Sequence, residues 1–315
     1  MALQDVTMIK DVEFCHGSVF SGAYRVRKPN KRVASNGVPY MVCDLEDASG
    51  QLTAYAWSEA KIIDVHDLEL VMLTGRIKRF NSTYIGDVLH AEKMENCCTN
   101  ALYLIPRSIC PLPSLLEQLI IVVEGIKNEA LRQFVFSVLA DDGIAFPFVS
   151  IPASKKHHHC IAGGLLEHSL ECTIMASQYA KLGDDLMDLA VVGALFHDIG
   201  KIRTIKAVGK LSDLGRVIDH DSMTLEILAP YLKTLDHTCP DAAIALRYLW
   251  TWRSHKGSRS IPLSTLAEVV ASADRISTGL NVEEEAFDKL PEWKNFATFN
   301  EKQLCWRSIM SNYLS

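Results

Sequence analysis

Between residues 13 and 94 the apolar residues come in short alternating runs separated by turn residues: GSVFSGAYRV, PYMVCDLED, QLTAYAW, LELVMLTGRI and YIGDVLHAEKM. A period of two turns one face of an extended chain inward, so this pattern predicts five strands. Asn36-Gly37 and Ser49-Gly50 fall between runs, where tight turns need residues that tolerate unusual backbone, and they mark hairpins. So few strands leave open edges, which closure into a barrel removes.

The spacing then changes. Residues 97–112, with Pro106 and Pro111, read as a linker. Beyond Pro113, LLEQLIIVVEGI and LRQFVFSVLA place apolar residues three and four apart, the spacing of one helix face; helices over 164–181 and 186–197 and three or four more follow. The expected fold class is multidomain α and β: a small N-terminal β-barrel over 1–96, the linker, and an all-α domain over 113–315. The last stretch, from Glu283 through EEEAFDKLPEW to Trp306, reads as helix and turn, packed on the helical domain or against another subunit of a homo-oligomer.

A chain of 315 residues, 48% hydrophobic and 22% charged, can build two cores of ordinary soluble composition. A net charge of -6 and a pI near 6.0 exclude bulk attraction to nucleic acid, which leaves a local basic groove as the way to hold such a polymer. No apolar run reaches the ~18 residues of a membrane helix, and the start MALQDVTMIKDVEF lacks a signal-like core. Nine cysteines with no CxxC pair read as reduced thiols, so a cytoplasmic protein without membrane association is expected.

Metal-binding side chains concentrate in the helical half, where eight of the eleven histidines lie between 157 and 255. His197 and Asp198 end the apolar helix LAVVGALF and precede Ile199-Gly200-Lys201. A carboxylate on a buried helix is unfavourable unless paired, and a divalent cation beside it removes that penalty. The competing reading is a helix C-terminus with Gly200 as its left-handed cap. His168 sits 29 residues earlier in GGLLEHSLE, on a helix whose Leu165, Leu166, Leu170 and Ile174 should face the core. Asp274, in LAEVVASADRIS, is again an acid within a small-residue, apolar helix and could complete the group.

The order H…HD…D, with the pair written HDIGK, resembles the HD superfamily of metal-dependent phosphohydrolases over roughly 150 to 280. The resemblance implies a divalent cation held by His168, His197, Asp198 and Asp274. Members with two more histidines before the last aspartate hold two metals; His220 in RVIDHDSM and His255 in WRSHKGS would then be ligands, with Asp198 bridging. Otherwise each is a substrate-contacting or surface histidine. The implied reaction is attack of a metal-activated water on a phosphate ester. Imidazole and carboxylate donors suit Mn, Fe, Co, Ni or Zn, with Mg also open, one or two ions per chain. Lys201 would offset phosphate charge, or is a helix-end lysine favoured by the dipole.

The first module carries Arg25, Arg27, Lys28, Lys31 and Arg32 without an intervening acid, and then Arg76, Lys78 and Arg79. Tyr24, Tyr40, Tyr55, Trp57, Phe80 and Tyr84 are interleaved. Basic grooves with stacking aromatics hold single strands; the plainer alternative is core aromatics beside a solvated loop. KRVASNGVPYMVCDLEDASGQLTAYAW resembles the nucleic-acid-binding OB-folds. A barrel of that kind ahead of an HD domain looks like a bacterial family of 3′-to-5′ exoribonucleases that degrade single-stranded RNA, in some cases DNA, with manganese. In contrast, PASKKHHHCIAGGLLEHSLE is closer to the HD domain of conjugation-associated relaxase proteins and points to a mobile-element DNA role. His157, His158 and His159 would touch a scissile phosphate or line the domain's entrance. Arg216, Arg247, Trp250, Trp252 and Arg253 are candidates for phosphate or base contact.

Three functions follow from these readings. The leading one is a metal-dependent 3′-to-5′ exonuclease on single-stranded RNA or DNA. The others are a phosphohydrolase of small nucleotides and a DNA-processing or binding protein of conjugation.

Overall fold

The structure, a computed structural model, describes residues 7–57, 64–94, 98–155, 159–179, 183–252 and 262–307. The chain divides into two compact units, Met1–Glu124 with Val135–Phe146 and Gly125–Phe134 with Pro147–Ser315. Seven cysteines among the described residues are free thiols.

The first unit is built on β1 (Val19–Val33), β2 (Pro39–Glu46), β3 (Gln51–Trp57), β4 (Leu70–Phe80) and β5 (Thr83–Lys93). They form a closed barrel in the order β1-β2-β3-β5-β4, antiparallel except where β3 meets β5 in parallel, which fits an OB-fold. Its interior is filled by the inward-facing side chains of every strand, among them Phe20, Tyr24, Val26, Met41, Leu45, Leu73 and Ile77. The β1–β2 turn uses Gly37 at φ 82, and the Ala34 N–H donates to Val38 O across it at 2.9 Å. The β2–β3 turn is organised differently. Asp47 Oδ1 accepts from the backbone of Ser49 and Gly50 at 2.7 and 2.9 Å, an Asx-type turn. Gly50 is required there by closeness, because a Cβ would lie 2.8 Å from Ile9 Cγ2.

Beyond β5, a 3-10 helix over Cys98–Leu104 brings Leu104 onto the outer face of the barrel, against Ala23 and Leu70 with Met72 and Met94 packed alongside. Both faces of the middle of β1 are therefore covered, and Ala23 through Val26 are all buried in place of simple alternation.

The helices are α1 (Ser114–Glu124), α2 (Glu129–Leu139), α3 (Asp142–Ser150), α4 (Gly164–Ser177), α5 (Asp184–Phe196), α6 (Lys201–Thr204), α7 (His220–Thr238), α8 (Pro240–Thr251) and α9 (Thr265–Phe287). In the second unit α4 packs on α5 and α9, and α5 also meets α8. Leu165, Leu166 and Leu170 of α4 are buried as the spacing predicts, whereas Ile174 is exposed on its outer side. No single helix among the described residues is long and apolar enough to cross a membrane.

The C-terminal stretch departs from the helix-and-turn expectation. After α9 the chain forms a hairpin, β6 (Phe296–Phe299) and β7 (Gln303–Trp306), turning through Asn300 and Glu301 with left-handed φ of 49 and 58. Alternate residues Ala297, Phe299 and Cys305 bury against Val282 and Phe287 of α9, which gives the two strands the apolar support that a hairpin lacks alone.

Candidate metal centre

Helix packing in the second unit brings four side chains from three sequence-distant segments to one point. His168 projects from the middle of α4, His197 stands at the C-cap of α5 with Asp198 next to it, and Asp274 projects from α9. His168 Nε2 lies 3.2 Å from His197 Nε2 and 3.3 Å from both Asp198 Oδ2 and Asp274 Oδ1. His197 Nε2 is 3.4 Å from Asp198 Oδ2 and 3.8 Å from Asp274 Oδ1. Two imidazole nitrogens and two carboxylate oxygens so close together are all lone-pair donors, the chemistry a divalent cation satisfies. Asp198 and His168 are each only 4% exposed, so this charge is held away from solvent.

The backbone explains why the HDIGK sequence folds this way. Gly200 is not a left-handed cap: its φ is -57, ordinary right-handed helix. It is needed for close approach, since a Cβ would fall 1.9 Å from His220 O and 2.7 Å from Thr224 N. That contact lets the start of α7 press against the turn after α5. Thr224 Oγ1 accepts from the Gly200 N–H at 3.1 Å and lies 3.2 Å from His197 O, tying the two segments together. His220 then reaches the second face of the Asp198 carboxylate, with Nε2 3.0 Å from Oδ1. Lys201, the first residue of α6, places Nζ 2.5 Å from Asp198 Oδ2.

Electrostatics follow from this crowding. Burial works against the Asp198 carboxylate, but Lys201, His197, His168 and His220 together hold it well below the usual range. Burial likewise opposes charge on His197, and Asp198 and Asp274 outweigh it, raising the imidazole to about 9. His220 is raised in the same way, with burial opposed by Asp198. Asp274 is lowered despite partial burial, because His168 and His197 hydrogen-bond to it.

Residues 165–279 match the family model for the HD domain. The helical unit carries an HD domain. A second family model, described as "Putative helicase" (TraI_2), matches residues 113–186. Over nearly the whole chain the protein is similar to three bacterial proteins each named 3′-5′ exoribonuclease YhaM. The one from Oceanobacillus iheyensis is 26% identical over 287 residues, covering 87% of this chain and 88% of that protein. Those from Listeria innocua and Bacillus licheniformis are 23% and 22% identical, covering 88% and 84% of this chain and 89% and 86% of theirs.

The HD site opens into a cavity of about 440 Å³ lined by His197, Asp198, His220, Trp252, Asp274 and Arg275 among others. A larger hollow of about 740 Å³ lies by the C-terminal hairpin, with Glu285, Asp288, Lys289 and Phe296 in its wall. It contains no histidine, so the donor groups rather than the volume locate the chemistry.

The remaining expected residues divide clearly. His158, Arg253 and His255 lie outside the described residues, as does His157. His159 does not face the HD cavity. It is 7% exposed, with Nδ1 2.9 Å from Glu167 Oε2 and Nε2 3.2 Å from Glu171 Oε2, an arrangement that leaves no ring nitrogen open for a phosphate. Arg247 is engaged by both oxygens of Asp236 at 2.6 and 2.8 Å, and Trp250 is buried, donating Nε1–H to Gly193 O. Arg216 is exposed in a 3-10 turn.

Within the barrel, Arg25 does not line an open groove. It lies on the covered outer face of β1, 5% exposed, and donates to Leu68 O at 2.9 Å and to Asp142 Oδ1 at 2.7 Å. Arg27 pairs with Asp67, Lys31 with Asp64 and Lys78 with Asp87. Lys28, Arg32 and Arg76 are exposed. Trp57 is exposed at the end of β3, its ring centroid 4.8 Å from that of its cross-strand partner Tyr40 in a tilted contact, and Tyr40 in turn stacks on Tyr55. Tyr24 is entirely buried.

Sequence reasoning missed Cys172 and Ser277. The donor atoms of His168, Cys172, His197 and Asp274 all lie within 4.8 Å of one another. Burial first, then Asp274, Asp198 and Glu171, push the Cys172 thiol up in the metal-free protein, where its Sγ lies 3.8 Å from His168 Nε2.

Proposed function

We propose that this protein is a metal-dependent 3′-to-5′ exonuclease that removes nucleotides from single-stranded nucleic acid, with RNA as the first substrate to test. The observation that carries the reading is the convergence of buried His168 and Asp198 with His197 and the half-exposed Asp274 at one point. It is supported by similarity over more than four-fifths of the chain to proteins named exoribonucleases.

These four side chains would hold the first cation, with His220 and His255 as candidates for a second and Asp198 bridging. A divalent cation bound there supplies Lewis acidity toward a phosphoryl oxygen and lowers the pKa of a bound water. Manganese is the preferred ion; the imidazole and carboxylate donors equally accommodate Fe, Co, Ni or Zn. The chain's own residues set the rest. Asp198 is fixed by Lys201 on one oxygen and by His220 on the other, so its orientation is set before substrate arrives. Lys201 and Arg275 bring positive charge to the site and its cavity wall, where a phosphodiester would enter. Trp252 offers an aromatic surface in the same wall.

In the barrel, the Tyr40, Tyr55 and Trp57 ladder is suited to stacking on bases, a sequence-tolerant contact of ~1 to 3 kcal/mol per base. Exposed Lys28, Arg32 and Arg76, with Arg27, Lys31 and Lys78 beyond them, would follow the backbone. The domain boundaries consistent with this division of labour are a binding module over 1–96, a linker over 97–112 and the hydrolase over 113–315.

A second reading, processing of a DNA strand in conjugation, is favoured by the TraI_2 match over 113–186. One experiment separates the readings: RNA and DNA oligonucleotides labelled at either end, incubated with Mn or with EDTA. Stepwise shortening from the 3′ end of RNA with Mn alone is expected. Shortening of DNA only would favour the second reading. Turnover of mononucleotides without shortening of either strand would overturn both.

A further inference from the structure

Behind the metal-facing side of His168 runs a chain of hydrogen-bonding groups with no part in the reading above. His168 Nδ1 lies 3.0 Å from Ser277 Oγ, and Ser277 Oγ donates to Glu171 Oε2 at 2.7 Å. Glu171 Oε2 is also 3.2 Å from His159 Nε2, while His159 Nδ1 is 2.9 Å from Glu167 Oε2. Ser277 has no solvent exposure and its α9 backbone carbonyl accepts from Asn281 Nδ2, whose amide also abuts the His159 ring.

Donor and acceptor inventory gives the chain a direction. A serine hydroxyl has one hydrogen, and a carboxylate can only accept. With that hydrogen given to Glu171, Ser277 Oγ must accept from His168, so the proton of His168 sits on Nδ1. Nε2 is then left with its lone pair aimed at Asp198, His197 and Asp274. A partner that fixes the far nitrogen of a ligating histidine also raises its basicity.

The backbone around His159 is shaped to hold this far end. His159 has a left-handed φ of 50, uncommon for a residue with a side chain. Its carbonyl accepts from Ala153 N–H at 2.9 Å and presses so close to α4 that a Cβ on Gly164 would lie 2.1 Å from it. The glycine therefore permits the approach that brings the His159 ring between Glu167 and Glu171, one helical turn apart.

We propose that Glu171, anchored by His159 and acting through Ser277, is a positioning residue that fixes the tautomer of His168 and thereby sets the affinity of the HD site for its divalent cation. This rests on the metal reading of the proposed function and names a control within it. The test is calorimetric titration of the full chain with Mn²⁺, comparing the unmodified protein with Ser277→Ala, Glu171→Gln and the double variant. Ser277→Ala removes one hydroxyl, and the metal-free melting temperature of each variant reports whether the fold is intact.

Each single variant should bind Mn²⁺ about 10- to 100-fold more weakly, as changes to partners of ligating histidines do. The double variant should lose no more than the weaker-binding single, because both act through one path. Simple softening of the helix packing would instead lower the metal-free melting temperature and make the losses add. Single variants within about twofold of the unmodified protein would overturn the proposal while leaving the metal reading intact. If the unmodified chain itself bound no divalent ion, the metal reading would fall and this inference with it.

Discussion

The barrel and the helical unit each bury charge, and they treat it in opposite ways. Arg25 of the barrel is as inaccessible as His168, yet its guanidinium is distributed over separate acceptors, a carbonyl of Leu68 and the Asp142 carboxylate. The Leu104 carbonyl accepts from its Nε at 3.4 Å and the Phe146 ring lies beneath it, so its neighbours are protein groups that satisfy the cation. In the HD domain the buried groups point their remaining lone pairs at one another, while His168 Nδ1 and His197 Nδ1 are held on their far sides by Ser277 and Ala194 O. Burial with dispersed partners marks a structural charge, and burial with convergent ones marks a site.

The largest expected effect tests the convergent side. Asp198→Ala should lower strand degradation by at least about 100-fold, more than changes to outer partners cost, and should reduce Mn content measured by elemental analysis. Unchanged metal content and degradation would move the protein to a non-catalytic binding role.

Arg25→Ala tests the dispersed side. Stranding buried acceptors costs about 2 to 3 kcal/mol, which for a domain of this size lowers the melting temperature by roughly 5 to 10 °C. Mn²⁺ affinity should not change; if it did, the separation drawn between the two kinds of buried charge would be wrong. Trp57→Ala, on the exposed ladder, should weaken binding of a single strand by about 5- to 150-fold, from ~1 to 3 kcal/mol of stacking, without affecting melting. Fluorescence anisotropy with a labelled oligonucleotide reads this directly.

The smallest effect is one of pH. In metal-free protein, burial opposes the charge on His197 but Asp198 and Asp274 raise it to about 9, above the ordinary 6.5 of an unfolded histidine. A raised folded value gives stability that is complete below about 6.5 and is lost as pH climbs toward 9. Chelator-treated protein should therefore melt at lower temperature at pH 9 than at pH 6.5. A flat or rising profile would contradict the assignment.

The division also explains what the sequence made legible. His168, His197, Asp198 and Asp274 stood out because acids and imidazoles within apolar helices need a reason, and the structure brings all four together. Ser277, Glu171 and Cys172 did not, since small polar residues and a glutamate on a helix are ordinary without knowledge of the facing helix. Arg25 was grouped with its basic neighbours because a run of cations does not reveal which one faces a covering segment. Its Nε meets the carbonyl of Leu104, 79 residues away, at 3.4 Å. His159 was read with His157 and His158 as one tract, although its left-handed backbone and the close approach at Gly164 turn it away toward two glutamates. The hairpin after α9 escaped because FATF and QLCW are too short for alternation to stand out from a turn.

The parallel contact between β3 and β5 has a kinetic consequence. It consists of two residue pairs, Ala54 with Gly86 and Tyr55 with Asp87, and joins positions more than thirty residues apart. The hairpins β2–β3 and β4–β5 can zip from their turns, but this junction must wait for both, since long loops are closed only at an entropic cost that later contacts repay. Closure also needs β1 to meet β4, from Val19 with Arg76 to Arg25 with Leu70, pairs at least 45 residues apart, so joining the local halves is expected to be slower than forming either. Tyr55, one member of the aromatic ladder, lies on the β3–β5 junction, so the stacking surface reaches its final form only when the ring closes.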